Sequence, residues 1–212
     1  MQIKKFTFNP FQENTYILYD DSLECAIVDP GCYTDSEKKQ ISDFISQEKL
    51  VPTLLLNTHC HIDHILGNKF ISELYKIPLD AHHKEMPILS GSPAWGMQYG
   101  IMCELSPEIT NFVDEGYVLS CGNFTLEVLF VPGHSPGHVA FVNDASKSII
   151  SGDVLFHGGY GRVDLPGGNL KDLVASITQK LFKLPDNYTV YSGHGGDTTI
   201  GAEKMDNPIL HY

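Results

Sequence analysis

Short runs rich in β-branched and aromatic residues, bounded by Gly, Pro, Asn and Asp, recur along the chain and predict strands. They cover Ile3 to Phe8, Thr15 to Tyr19, Ala26 to Asp29, Leu54 to Asn57, Phe124 to Phe130, Val139 to Val142, Ile149 to Ser151 and Thr189 to Tyr191. Helical spacing fills gaps between them. Thr34-Asp35-Ser36-Glu37 has the form of a capping box, and Ile41, Phe44 and Ile45 follow on one face. His64 to Tyr75 carries Ile65, Leu66, Phe70, Ile71 and Leu74, which predicts a second amphipathic helix. Asn169 can cap a third, with Leu170, Leu173, Val174, Ile177 and Leu181 to one side. Strands in clusters with helices interspersed predict a layered α/β fold. Ser90 to Pro107 holds the only Trp among Gly, Pro and Ser, and reads as a loop or lid with some helix. Phe156 to Gly168 reads as a glycine-rich loop. No linker, repeat or low-complexity tract divides residues 1–212, so one domain is expected.

Composition narrows the function classes. Hydrophobic residues at 42% and charged ones at 19% suit a globular core. A formal net charge of -12 repels phosphate backbones and anionic lipid, so neither nucleic acid nor membrane is an expected partner; a small molecule is. No stretch approaches the roughly 20 apolar residues of a membrane span, and the start lacks a signal-peptide core. Five cysteines without CxxC spacing read as reduced thiols, and the expected compartment is the cytoplasm.

The chemistry concentrates in Thr58-His59-Cys60-His61-Ile62-Asp63-His64, directly after the apolar run Leu54-Leu55-Leu56. An extended segment projects alternate side chains the same way, so His59 and His61 can share one metal while Cys60 points away. Asp63 and His64 then turn into a helix and can face a second metal. Imidazole and carboxylate are donors for zinc, iron or manganese. Three further strand ends carry donor types beside glycines: Pro132-Gly133-His134-Ser135-Pro136-Gly137-His138, Ser151-Gly152-Asp153 and Gly193-His194-Gly195. A nucleophile elbow, a Walker A loop and a catalytic cysteine are all missing from the pattern.

With Asn14-Thr15-Tyr16, Val28-Asp29-Pro30-Gly31 and Gly161-Arg162-Val163-Asp164 added, the chain resembles the metallo-β-lactamase superfamily, and within it the glyoxalase II-like hydrolases. The resemblance implies a four-layer αβ/βα sandwich with metals at one edge between two mixed sheets. It implies that His59, His61 and His134 bind one metal, that Asp63, His64 and His194 bind the other, and that Asp153 bridges them. Two divalent ions ~3.5–4 Å apart, zinc favoured over iron or manganese, lower the pKa of a bridging water and polarise a substrate carbonyl. Asp63 and Asp153 are thus the catalytic carboxylates, working with the metal-held hydroxide. Asp29 is a candidate orienting partner for a ligand imidazole, Arg162 and Asp164 form a structural pair beside the site, and His157 and Tyr160 are candidate substrate contacts. His138 and Cys60 are structural, and His82, His83 and His211 are surface groups.

The expected activity is metal-dependent hydrolysis of a thioester. The resemblance leaves two alternatives, a mononuclear-iron persulfide dioxygenase and a lactonase; β-lactam hydrolysis is not expected, because Asp153 stands where known types often carry Cys. Full-length glyoxalase II enzymes take basic residues for glutathione from a C-terminal helical domain. Here Lys204 is the one Lys or Arg after His194, so a short member lacking that domain is expected.

Overall fold

The computed structural model describes residues Met1 to Tyr212. In the first half, β1 (Gln2–Phe8), β2 (Glu13–Tyr19) and β3 (Glu24–Val28) run antiparallel. Strands β4 (Val51–Leu56), β5 (Leu79–Ala81) and β6 (Ile109–Phe112) extend the same sheet in parallel. Its crossovers carry α1 (Asp35–Gln47), the short α2 (Ile62–Ile65), α3 (Asn68–Tyr75) and α4 (Met86–Tyr99). The second sheet has the order β14-β13-β10-β9-β8-β7. Its members are β7 (Val118–Cys121), β8 (Phe124–Phe130), β9 (Val139–Asn143), β10 (Ser148–Gly152), β13 (Thr189–Ser192) and β14 (Thr198–Thr199). A small hairpin of β11 (Leu155–Phe156) and β12 (Gly159–Tyr160) precedes α5 (Leu170–Gln179), and α6 (Ile200–Asp206) follows β14.

Side-chain alternation turns these sheets into four layers. Tyr16, Leu18, Ala26 and Val28 face inward and pack on Leu126, Val128, Phe141 and Ile150 of the second sheet. Their neighbours Ile17 and Ile27 face outward onto Ile41 and Ile45 of α1 and Ile71 of α3. On the far side Ala140, Val142, Ile149 and Val190 pack on Leu173 and Ile177 of α5 and Ile200 of α6. Strands β9 and β10 are buried on both faces, which explains the unbroken apolar run Val139 to Val142 and the adjacent pair Ile149 and Ile150. Each fully buried Ile or Leu contributes roughly 1.5–3 kcal/mol, so the three apolar layers hold the sheets in fixed register.

Two predicted elements differ. The expected helix from His64 to Tyr75 breaks between α2 and α3. A Cβ on Gly67 would meet Cys32 Sγ at 2.4 Å and the Pro30 carbonyl at 2.7 Å, and Gly67 N–H donates to that carbonyl, so the chain is pinned against the Asp29-Pro30-Gly31 turn. The segment Ser90 to Pro107, read as a loop or lid with some helix, has its helix as far as Tyr99 despite Pro93, as the end of a longer element that starts at Met86. Pro93 removes the donor that Leu89 O would receive, and Ser92 Oγ donates to that oxygen instead at 2.7 Å. Gly96 allows close contact with Ile101 O and Ile62, and Gly100 ends the helix at φ 69°.

Candidate metal centre

The carboxyl ends of β4, β8, β10 and β13 meet along one edge of the sandwich. Beyond β4 the chain stays extended to His61, the N-cap of α2, which sets His59 and His61 side by side with ring centroids 4.7 Å apart. Cys60 faces the opposite way, into the core against the outer helices. The first turn of α2 carries Asp63 and His64. The loop from β8 to β9 supplies His134, the turn after β10 supplies Asp153, and that after β13 supplies His194. Gly152, at φ 50°, provides the left-handed bend that turns Asp153 back over the sheet edge.

Donor atoms fall into two trios, His59 with His61 and His134, and Asp63 with His64 and His194, the atoms of each within 4.8 Å of one another. Asp153 lies between them. Its Oδ1 is 3.4 Å from His64 Nε2, while Oδ2 is 3.5 Å from His134 Nε2 and 3.4 Å from His194 Nε2. His194 Nε2 is also 3.1 Å from Asp63 Oδ2.

The other ring nitrogens fix each imidazole. His134 Nδ1 donates to the Arg162 carbonyl at 2.7 Å, and His194 Nδ1 to the Phe11 carbonyl at 3.2 Å. Asp29 serves both trios. It accepts from His64 Nδ1 at 3.2 Å and from Thr58 Oγ1 at 2.6 Å; the Thr58 oxygen in turn lies 3.0 Å from His59 Nδ1 and can accept its proton. Four imidazoles therefore use Nδ1 outward and turn Nε2 inward. His61 Nδ1 lies 2.8 Å from His134 Nε2, a separation that needs a proton or a cation between the lone pairs. The Nε2 atoms of His59, His61 and His64 and Oδ1 of Asp153 are buried without a hydrogen-bond partner. Leaving such groups unsatisfied costs about 1–3 kcal/mol each, so a cluster of them around one carboxylate fits divalent cations.

Electrostatics divides the trios. Burial, reinforced by the neighbouring imidazoles, pushes His59 well below the usual histidine range. Burial takes His61 to about 3, and burial also lowers His134. In the other trio burial opposes charge on His64 and His194, but Asp63 and Asp153 outweigh it. His64 stays well above its usual range, and hydrogen bonds to Asp153 and Asp63 raise His194 to about 9. At neutral pH the first trio is thus neutral and ready for a cation, whereas the second holds protons a cation must displace. Metal binding at the second trio is therefore expected to release protons and to tighten as pH rises towards about 9, whereas binding at the first changes little near pH 7. Calorimetry in buffers of different ionisation enthalpy checks this; equal proton release in both binding events would contradict it.

Several residues do more, or less, than their sequence context predicts. Glu85 was not singled out by any motif, yet its buried carboxylate accepts Cys60 N–H at 2.8 Å, Ser135 Oγ–H at 2.6 Å and Gly137 N–H at 2.6 Å. It ties the loop bearing His59 and His61 to the loop bearing His134. His138 accepts Asp153 N–H at its Nε2, 3.1 Å away, so it holds the Asp153 backbone, and that nitrogen is not free for a metal. His82 is a correction: expected at the surface, it is 1% exposed and stacks on Phe130 with centroids 4.6 Å apart. Its Nδ1 accepts from Lys84 N–H, so Nε2 must carry the proton that faces Asp114 at 3.4 Å. Both His82 ring nitrogens are thus engaged, because a metal on Nε2 would need the proton on Nδ1, which accepts from Lys84. His83 and His211 are exposed as expected.

Over the trios opens a cleft of ≈ 440 Å³. His61, Asp63, His134, Asp153 and His194 lie at its floor, Trp95 and Tyr99 of α4 form one wall, and Phe156 and Tyr160 form the facing one. Tyr160, one of the two candidate substrate contacts, is in the lining of the cleft. His157 is not: it occupies the exposed turn between β11 and β12, where Gly158 at φ 67° reverses the chain, and only the flanking positions reach the cleft. Arg162 and Asp164 form the expected pair, with Nε to Oδ1 at 2.6 Å, but the pair is exposed and the Arg162 group that reaches His134 is its backbone carbonyl.

A family model for the metallo-beta-lactamase superfamily matches residues 8–194, spanning every donor just described. The chain belongs to the metallo-beta-lactamase superfamily. Members of similar length surround it. Hydroxyacylglutathione hydrolase GloC of Haemophilus influenzae is 34% identical over 218 residues, covering 100% of this chain and 99% of that protein. The crystal structure of BLEG-1 B3 metallo-beta-lactamase superposes with a TM-score of 0.91 at 36% identity, covering 100% of both chains. That of TTHA1623 in a di-iron-bound form gives 0.88 at 34% identity, covering 98% of this chain and 100% of the other. The superfamily's metal-dependent hydrolase chemistry and its α/β sandwich are those of this chain.

Proposed function

We propose that this chain is a dinuclear metal-dependent thioester hydrolase acting on a small molecule, and that residues 1–212 work as one domain because both sheets contribute donors. His59, His61 and His134 would hold one ion and Asp63, His64 and His194 the other, with Asp153 available to both. The observation that carries this reading is the Asp153 carboxylate lying 3.4 to 3.5 Å from three inward-turned Nε2 atoms of two trios. Imidazole and carboxylate suit zinc, our first choice, and equally the iron found in the TTHA1623 structure. The ions supply Lewis acidity at the substrate carbonyl and a water of lowered pKa.

The chain's own residues position the reaction. Asp29, through His64 and through Thr58, fixes one imidazole of each trio, and Glu85 and His138 hold the loops that present the rest. The aromatic walls exclude bulk water from the carbonyl. Water adds to the acyl carbon and the carbon–sulfur bond breaks, leaving a carboxylic acid and a thiol. Asp63, at the cleft floor, accepts the proton released as water adds and passes it to the departing sulfur. The test is hydrolysis of S-D-lactoylglutathione by metal-reconstituted protein, followed by loss of thioester absorbance. Turnover that vanishes on chelation and returns with metal supports the reading; failure of metal-replete protein on every thioester rejects it. The likeness to BLEG-1 favours β-lactam hydrolysis as a second reading, which a chromogenic cephalosporin tests in parallel.

A further inference from the structure

We infer that the cleft selects its thioester by an apolar, aromatic-sized acyl group and does not read the charges of the thiol; this rests on the thioesterase reading above. The aromatic walls around the reacting centre come from three separate segments, yet they share one chemistry. Phe11 packs edge-on against Tyr99, with centroids 5.5 Å apart at 90°, and Trp95 stands on the same helix. Phe156 and Tyr160 face them from the hairpin, Phe156 edge-on to the His194 ring at 6.3 Å. A cavity of ≈ 440 Å³ is of the size that encloses most of a drug-sized ligand, and a three-carbon acyl group leaves most of it unfilled.

Charge recognition is missing from the same walls. Arg162 is the one Lys or Arg side chain lining the cleft, and it is already paired: Nε and Nη2 donate in a fork to both oxygens of Asp164. A guanidinium so paired has one of its two bidentate edges occupied and its charge offset, and Asp164 adds a negative charge beside any incoming anion. With a formal net charge of -12, the rest of the molecule offers no attraction to a carboxylate-bearing thiol either. The thiol arm accordingly lies towards solvent, while the acyl group fills the aromatic cleft above the trios.

Trp95 is the single tryptophan, so its emission reports binding directly. Metal-loaded protein is titrated with three unreactive thioethers: S-benzylglutathione, S-methylglutathione and S-benzyl-N-acetylcysteamine. The two benzyl compounds are expected to bind within about threefold of each other, with little dependence on salt, and at least about tenfold tighter than S-methylglutathione. In turnover, a mandeloyl thioester is expected to exceed the lactoyl thioester of the same thiol by at least about tenfold in kcat/KM, and Tyr99→Ala to shrink that ratio. Binding that requires the glutathione arm and weakens steeply with salt, or equal affinity for methyl and benzyl, overturns the inference. Turnover of lactoyl thioesters in preference to mandeloyl ones overturns it while leaving the thioesterase reading intact. Benzyl-selective binding without turnover of any thioester sinks that reading instead.

Discussion

Asp153→Ala is expected to lower turnover by at least about 10³-fold, equivalent to about 4 kcal/mol of barrier, and to reduce bound metal well below two ions per chain. The expectation follows from position. No other carboxylate lies within 4.0 Å of imidazole nitrogens from both trios, and its Oδ1 is buried with no hydrogen-bond partner of its own. Its loss also removes the counter-charge that, against burial, holds His64 and His194 protonated in the metal-free protein, so the second trio loses its anchor twice over. Cys60→Ala is the matched control. Its thiol is buried in the outer core, and burial pushes its pKa well above the usual range, so it stays protonated and outside the chemistry. Turnover in Cys60→Ala should stay at the wild-type level. Metal content by mass spectrometry and thioester hydrolysis, measured on both variants, check the pair. Wild-type metal content with wild-type activity in Asp153→Ala would refute the bridging assignment.

The grouping of these seven residues at one edge was legible because each lies in a segment that follows a strand, from one residue past β10 for Asp153 to eight past β4 for His64. Leu54-Leu55-Leu56 before His59 and Ile149-Ile150 before Gly152 and Asp153 are local signals. The parts that were not legible depend on separation along the chain. Glu85 meets its partners at sequence distances of 25, 50 and 52 residues, and no spacing rule joins them. Phe11 and Tyr99 likewise come together only because α4 folds over the loop between β1 and β2. Strands β5, β6 and β7 went unmarked for a different reason: at three or four residues each, they are too short for alternation to register. The fate of His82 turned on a backbone N–H two residues away, which composition does not reveal.

Gly193→Ala is expected to damage the site almost as severely, through volume alone. A Cβ at this position would stand 2.1 Å from Asp153 Oδ1 and 2.8 Å from His64 Cε1, inside the second trio. The backbone has no room to retreat. Gly193 N–H donates to Gly152 O at 2.8 Å, and its carbonyl accepts Asn14 N–H at 2.7 Å, clamping the turn between two strands. Either Asp153 or His64 must leave its place, and affinity for at least one metal is expected to fall by about 100-fold or more, the upper range for losing a residue that merely orients a ligand. Gly195→Ala separates this cause from general strain. Gly195 has φ 75° and open space around it, so the substitution costs about 1 kcal/mol of backbone strain with no intrusion on the donors. Competition with a chromophoric chelator, together with thermal melting of the metal-free proteins, distinguishes the two. Gly195→Ala should melt lower yet bind two ions, while Gly193→Ala should fold and fail to hold both. Full metal binding by Gly193→Ala would show that the second trio lies elsewhere than Asp63, His64 and His194.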